Sequence, residues 1–190
     1  NNPNYAAMVQ HMDENVGRLL ESLKKMGLED NTIVIFTSDN GGKGSVTSNL
    51  PLNGAKHDLR EGGIRVPLVV RWPGKIKAGS KSDLPLISDD FFPTTLDILG
   101  LPLHSDKHVD GQSFKGILLG QKTSSDRESL YWHYPHSRFE GAIRTGDYKL
   151  AYFYKSGKCQ LYNLREDIGE LNDLSAQQPE RVKRMRRDLK

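Results

Sequence analysis

The stretch that decides the fold is "NTIVIFTSDNGG", Asn31–Gly42. Its first half, "TIVIFT", is an unbroken apolar run rich in β-branched residues, with no polar alternation. That character fits a strand covered on both faces, as in a parallel sheet with helices on either side. The run ends abruptly on Ser38-Asp39-Asn40-Gly41-Gly42. Open α/β sheets bind ligands beyond the carboxyl ends of their strands, which places Asp39 and Asn40 where a site is expected.

Working outward, Tyr5, Met8, Val9, Met12, Val16, Leu19, Leu20 and Leu23 recur at helical spacing, and Gly27 follows as a stop. A second apolar run, "VPLVVRW" (Val66–Trp72), is closed by Pro73-Gly74. Residues 38–65 between the two runs show no sustained period. Loops this long inside a compact domain are usually functional or disordered. "SDDFFPTTLDILG" (Ser88–Gly100) reads as a short helix, capped by Asp89 or Asp90, with Pro93 in its first turn and Gly100 at its end.

Four short β-like runs then follow: "SLYWHY", "GAIRT", "YKLAYFY" and "CQLYNL". Gly146-Asp147 and Lys155–Lys158 supply turns between them, so an antiparallel meander is expected. A basic amphipathic helix from about Pro179 is placed to cover one face. The expected fold class is therefore α/β: a mixed or parallel sheet with flanking helices over residues 1–115. A small antiparallel sheet with a helix, over 116–190, completes it.

The chain of 190 residues is long enough for one sizeable core, or a core with a small appendage. A hydrophobic fraction of 36% and a charged fraction of 27% are those of an ordinary globular protein. No apolar run approaches the roughly 18 residues of a membrane span. A net charge of +3 gives no case for nucleic acid, and much of the excess sits in "PERVKRMRRDLK", which reads as a solvated helix face. The single cysteine, Cys159, excludes an internal disulfide and a multi-cysteine metal cluster. A half-buried structural thiol is expected there.

Asp39 offers a hard anionic oxygen and Asn40 a neutral carbonyl oxygen, a pair suited to calcium or magnesium. The same residues also favour a plain turn without any ligand. Two oxygen side chains are in any case too few for a complete cation site. Lys56, in "GAKHDLREGGIRVP", is placed either to neutralise an oxyanion or simply to be solvated. His57 and Asp58 lie in the same loop. Glu61-Gly62-Gly63 reads as a tight turn, with Glu61 anchoring backbone donors.

In combination these pieces go further. "YAAMVQHMDENVGRLLESLKKMGLEDNTIVIFTSDNGG", then "GAKHDLREGGIRVPLVVRWPGKI", "SDDFFPTTLDILG", "DGQSF" and "GAIRTGDYKL…QLYNLREDIGELNDLS", closely resemble the sulfatase family of the alkaline-phosphatase superfamily. The resemblance implies that Asp39 and Asn40 are calcium ligands and that Lys56 is a sulfate-binding lysine. "WHYPHS" resembles a segment that reaches the substrate in carbohydrate sulfatases, which makes His133 and His136 substrate-binding candidates; His57, in the Lys56 loop, is a further one. The alternative for His133 and His136 is an aromatic cluster with Tyr131, Trp132 and Tyr134. The implied substrates are a sulfated carbohydrate or an aryl sulfate, and the family's habit implies export to a periplasm or the outside.

One departure matters. The family's nucleophile is a formylglycine made within Cys/Ser-x-Pro/Ala-x-Arg, and no Cys or Ser here begins that pattern. The resemblance thus implies the carboxyl-terminal part of such an enzyme, partnered by an amino-terminal part that carries the nucleophile. The chain alone is expected to be inactive. Two other readings stay open at this stage: a phosphodiesterase or phosphonate hydrolase of the same superfamily, and a non-catalytic binding module.

Overall fold

A computed structural model describes residues 2–107, 109–136 and 138–189. Helix α1 spans Pro3–Lys25, as its apolar spacing predicts, and strand β1 spans Val34–Thr37. A one-turn helix α2 (Glu61–Ile64) precedes β2 (Leu68–Arg71), then come α3 (Phe91–Ile98) and the short α4 (Lys115–Leu118). Strands β3 (Ser129–Tyr134), β4 (Glu140–Thr145), β5 (Tyr148–Phe153) and β6 (Cys159–Asn163) follow, and α5 (Pro179–Asp188) closes the chain.

The chain divides into two compact units, residues 1–15, 37–68 and 128–190 in one, 16–36 and 69–127 in the other. The first is built on the meander β3-β4-β5-β6, antiparallel throughout. Ile143 pairs with Leu150, and Leu150 with Leu161, so the three form one row across the sheet. All three are fully buried and meet Met185 of α5, with Val182, Leu189, Tyr148 and Cys159 around them. Each such aliphatic side chain contributes about 1.5–3 kcal/mol on burial. Arg144, Lys149 and Tyr162 form the neighbouring row, which the pleat turns to the opposite face.

In the second unit, Asp90 is buried and is gripped by the Arg127 guanidinium, with Arg127 Nη1 3.0 Å from its Oδ2. The backbone N–H groups of Ile87 and Gln112 also donate to the Asp90 carboxylate. Asp90 makes no side-chain cap bond at α3 itself, but by accepting Ile87 N–H over 2.9 Å it caps the single 3-10 turn Ser88–Asp90 that leads into α3. Nor does Asp89 cap α3. Phe91 packs edge-on to Phe114, with ring centroids 5.7 Å apart.

The expectation of strands covered on both faces needs correction. β1 and β2 form a two-stranded sheet, and Ile35, Phe36 and Val69 are exposed. A ladder of two four-residue strands has no third layer over it, so the apolar run stays open to solvent here. On the apolar stripe of α1, Met8, Val9, Met12 and Leu19 are likewise exposed and Tyr5, Val16, Leu20 and Leu23 half-buried, and no residue of α1 is buried. No helix among the described residues is long and apolar enough to cross a membrane.

Candidate functional site

The loop after β1 is held by backbone bonds to two later segments. Gly41 N–H donates to Gly63 O over 2.9 Å, and Lys56 N–H donates to Gly42 O over 3.1 Å. The Asn49 side chain bonds both the N–H and the O of Gly42, and also reaches Gly54 O. The long aperiodic loop is therefore ordered by its own polar groups. Two glycines permit the approach. A Cβ at Gly41 would lie 1.8 Å from Gly62 O, and one at Gly63 would lie 2.1 Å from Asp58 O.

This staple brings the backbone of Asn40–Gly42 beside that of Gly54–Lys56. Asp39 and Lys56 are exposed and Asn40 is half-buried. Among the described residues the side chains of Asp39, Asn40 and Lys56 have no hydrogen-bond partner, which leaves one carboxylate, one amide and one ammonium free for a ligand. Two oxygen ligands fit part of a calcium shell, which takes about six to eight. No group of three or more His, Cys, Asp or Glu residues is arranged for a metal ion among the described residues. His57 adopts a left-handed conformation (φ 75°) and is exposed, while its neighbour Asp58 accepts from Arg60 N–H over 3.1 Å.

Glu61 departs from its sequence reading. It opens helix α2 rather than a bare turn, and its carboxylate anchors a lysine rather than backbone donors. Lys149 Nζ donates to Glu61 Oε1 over 2.9 Å, with both side chains buried. Glu170 Oε1 lies 3.1 Å from the same Nζ, an ion contact without hydrogen-bond alignment. Glu170 Oε2 accepts the Glu61 backbone N–H over 2.7 Å, satisfying a first-turn donor of α2. Burial pushes the Glu170 carboxyl above its usual range, and Lys149 only partly opposes this. The sequence gives no local signal for this cluster, since Glu61 lies 88 residues from Lys149 and 109 from Glu170.

The tip of the β3–β4 hairpin meets the same loop. Glu140 Oε1 accepts Leu59 N–H over 3.3 Å, and Arg138 Nη1 lies 3.5 Å from Asp58 Oδ2. His136, at this tip, is exposed and packs edge-on to Tyr134 with centroids 4.6 Å apart. His133 behaves differently. It pairs with Gly141 and so shares the sheet face of Ile143, the one covered by α5. Lys149 and the Glu61 segment occupy the other face. The structure thus brings Gly42 beside Lys56 and sets Asp58 and Leu59 against the hairpin tip, while the His133 side chain lies on the other sheet face.

A strand-end carboxylate and amide, a loop lysine and a small antiparallel subdomain buttressing that loop make up the candidate site. Comparison with known proteins gives the family. The sulfatase family model matches residues 1–101, and the N-sulphoglucosamine sulphohydrolase C-terminal model matches residues 55–190. The chain belongs to the sulfatase family. It is 38% identical to a sulfatase of Formosa agariphila, over 92% of this chain and 36% of that protein. It is 39% identical to the N-acetylglucosamine-6-O-sulfatase of Bacteroides thetaiotaomicron, over 90% of this chain and 31% of that protein. It thus spans about a third of the length of these relatives.

Two solved structures show the same fold. Ps i-CgsB in complex with a neocarrahexaose superposes with a TM-score of 0.88 at 33% identity, covering 97% of this chain and 41% of that one. BT4656 in complex with its substrate D-glucosamine-2-N,6-O-disulfate gives 0.79 at 34% identity, covering 97% and 38%. The expected alkaline-phosphatase-like fold class stands on these neighbours.

Proposed function

We propose that this chain is part of an enzyme that hydrolyses sulfate esters of a carbohydrate. The observation that carries the proposal is the stapled loop, which presents Asp39, Asn40 and Lys56 with their side chains free. Membership of the sulfatase family supports it, as do relatives whose names and ligands are sulfated sugars.

The residues have distinct roles in this reading. Lys56 supplies a compact positive charge for an oxygen of the sulfate, holding the anion and countering charge that builds during ester cleavage. Asp39 and Asn40 would hold a calcium ion, with magnesium as the alternative, which when bound supplies Lewis-acid charge and a template for the sulfate. The nucleophile, a formylglycine, lies outside these residues. His57 and His136, beside the Lys56 loop, are placed to contact the sugar.

The test uses the full-length enzyme on an aryl sulfate and on a sulfated disaccharide. Asp39→Ala and Lys56→Ala should each lower kcat/KM by about a hundredfold or more, the scale of removing a preorganised charge-stabilising group. Unchanged turnover in both variants would overturn the site assignment. Faster turnover of a phosphodiester than of any sulfate ester would overturn the reaction class. The 190-residue chain alone should show no turnover.

A further inference from the structure

The buried cluster of Glu61, Lys149 and Glu170 is built around the first turn of α2, the helix against which the presenting loop is held. Every member is at least 97% buried, and together they hold two carboxylates and one ammonium. Such a group is weak evidence for stability, because desolvating the charges offsets their attraction. Its geometry suggests another use. Glu170 holds the first backbone N–H of α2, and Lys149 holds the Glu61 side chain. From α2 the contacts run directly to the site. Gly62 N–H donates to Asn53 O over 2.7 Å, and Gly63 O receives Gly41 N–H over 2.9 Å. The backbone of α2 is thus the surface against which both Gly41 and Ala55–Asp58 are pressed.

We infer that Lys149 and Glu170 are positioning residues for the anion and cation site, fixing through α2 the separation of Lys56 from Asp39 and Asn40. The inference rests on the proposed roles of those three residues. The cluster touches no ligand. It sets the register of the two loop segments that do, as outer-shell partners of a metal ligand orient it. Because each residue grips a different part of Glu61, removing either leaves Glu61 with one of its two buried anchors. Arg65 Nη1, 3.5 Å from Glu61 Oε2 and half-exposed, is too far and too hydrated to replace Lys149.

The test is made in the full-length enzyme with Glu170→Gln and Lys149→Met, and with Leu161→Ala as a control in the core beneath α5. Three quantities are measured: the melting temperature, the calcium dissociation constant by calorimetry, and kcat and KM on an aryl sulfate. Glu170→Gln keeps an acceptor for the Glu61 N–H and should fold. It should weaken calcium binding and lower kcat/KM by about tenfold, the scale of outer-shell substitutions. Lys149→Met should do at least as much if it folds. Leu161→Ala should lower the melting temperature without moving the calcium constant. Wild-type calcium affinity and kcat/KM in folded Glu170→Gln would overturn the inference. So would an equal calcium shift in Leu161→Ala, which would reduce the cluster to general stability. Asp39→Ala and Lys56→Ala, run alongside, separate the two levels. If they too leave calcium binding and turnover unchanged, the site assignment itself has failed; if they do not, only the positioning role has.

Discussion

His133 Nδ1 lies 2.6 Å from the Tyr154 hydroxyl, and the two rings tilt against each other with centroids 5.4 Å apart. The contact ties the His133 tautomer to the Tyr154 hydroxyl: Nε2–H where the hydroxyl donates, Nδ1–H where the ring does. Burial pushes the Tyr154 phenol above its usual range, with Tyr152 and Glu140 adding to the effect, and this keeps the hydroxyl protonated. Tyr154→Phe should therefore release the tautomer. Histidine 15N shifts, assigned with His133→Gln, should show one dominant tautomer in the wild type and a mixture in the variant. An unchanged spectrum would mean that Tyr154 does not control the ring.

Glu170 gives a pH dependence with a definite sign. Its folded pKa is raised from an ordinary 4.5, so the folded state binds that proton more tightly than the unfolded chain does. Its stabilising contribution is complete below about 4.5 and is lost as pH rises through the folded value. Glu170→Gln cannot titrate. The stability difference between variant and wild type should be flat in acid and should move in favour of the variant as pH rises toward neutrality. Urea unfolding at pH 4 and pH 7 measures it, and a difference moving the other way would show that Lys149 outweighs burial.

Cys159 is the half-buried thiol that its setting in the sequence implies. Burial pushes its pKa up, Arg186 opposing only in part. The thiolate is the reactive form, so alkylation by iodoacetamide at pH 7.5 should be at least about tenfold slower in the folded protein than in urea. A rate equal to that of the unfolded chain would show an exposed thiol.

Much of the fold was legible because local rules settled it. The 3.6-residue spacing of Met8, Met12, Val16 and Leu19 sufficed for α1, and regular turn signals sufficed for β3–β6. The covering of β1 was not legible, since "TIVIFT" reports how apolar a strand is and not how many layers lie over it. At the site, Asp39, Asn40 and Lys56 were visible as chemistry, but their support was not. Lys149 and Glu170 look like ordinary surface charges in sequence, and only their meeting with Glu61, 88 and 109 residues away, makes them a buried cluster. The "WHYPHS" resemblance groups His133 with His136 and cannot tell their sheet faces apart; strand alternation turns His133 to the α5 face.

Gly41 and Gly17 offer a paired test of how far the site depends on backbone contact. Gly17 sits within α1, and a Cβ added there would meet nothing within 4 Å, so Gly17→Ala should stabilise the protein by about 0.5–1 kcal/mol through helix propensity. At Gly41 the same added methyl would fall 1.8 Å from Gly62 O, a carbonyl fixed within α2. The only relief is for the loop after β1 to move away, breaking the 2.9 Å bond from Gly41 N–H to Gly63 O. Asp39 and Asn40 would move with it, while Lys56 would stay with its own turn, where Asp58 N–H donates to Ala55 O over 3.0 Å. Gly41→Ala should therefore cost about 1–3 kcal/mol of stability and lower full-length kcat/KM by about a hundredfold. Thermal unfolding and steady-state kinetics on one pair of variants decide it. Activity that survives Gly41→Ala would mean that Asp39, Asn40 and Lys56 need not be held in register to work.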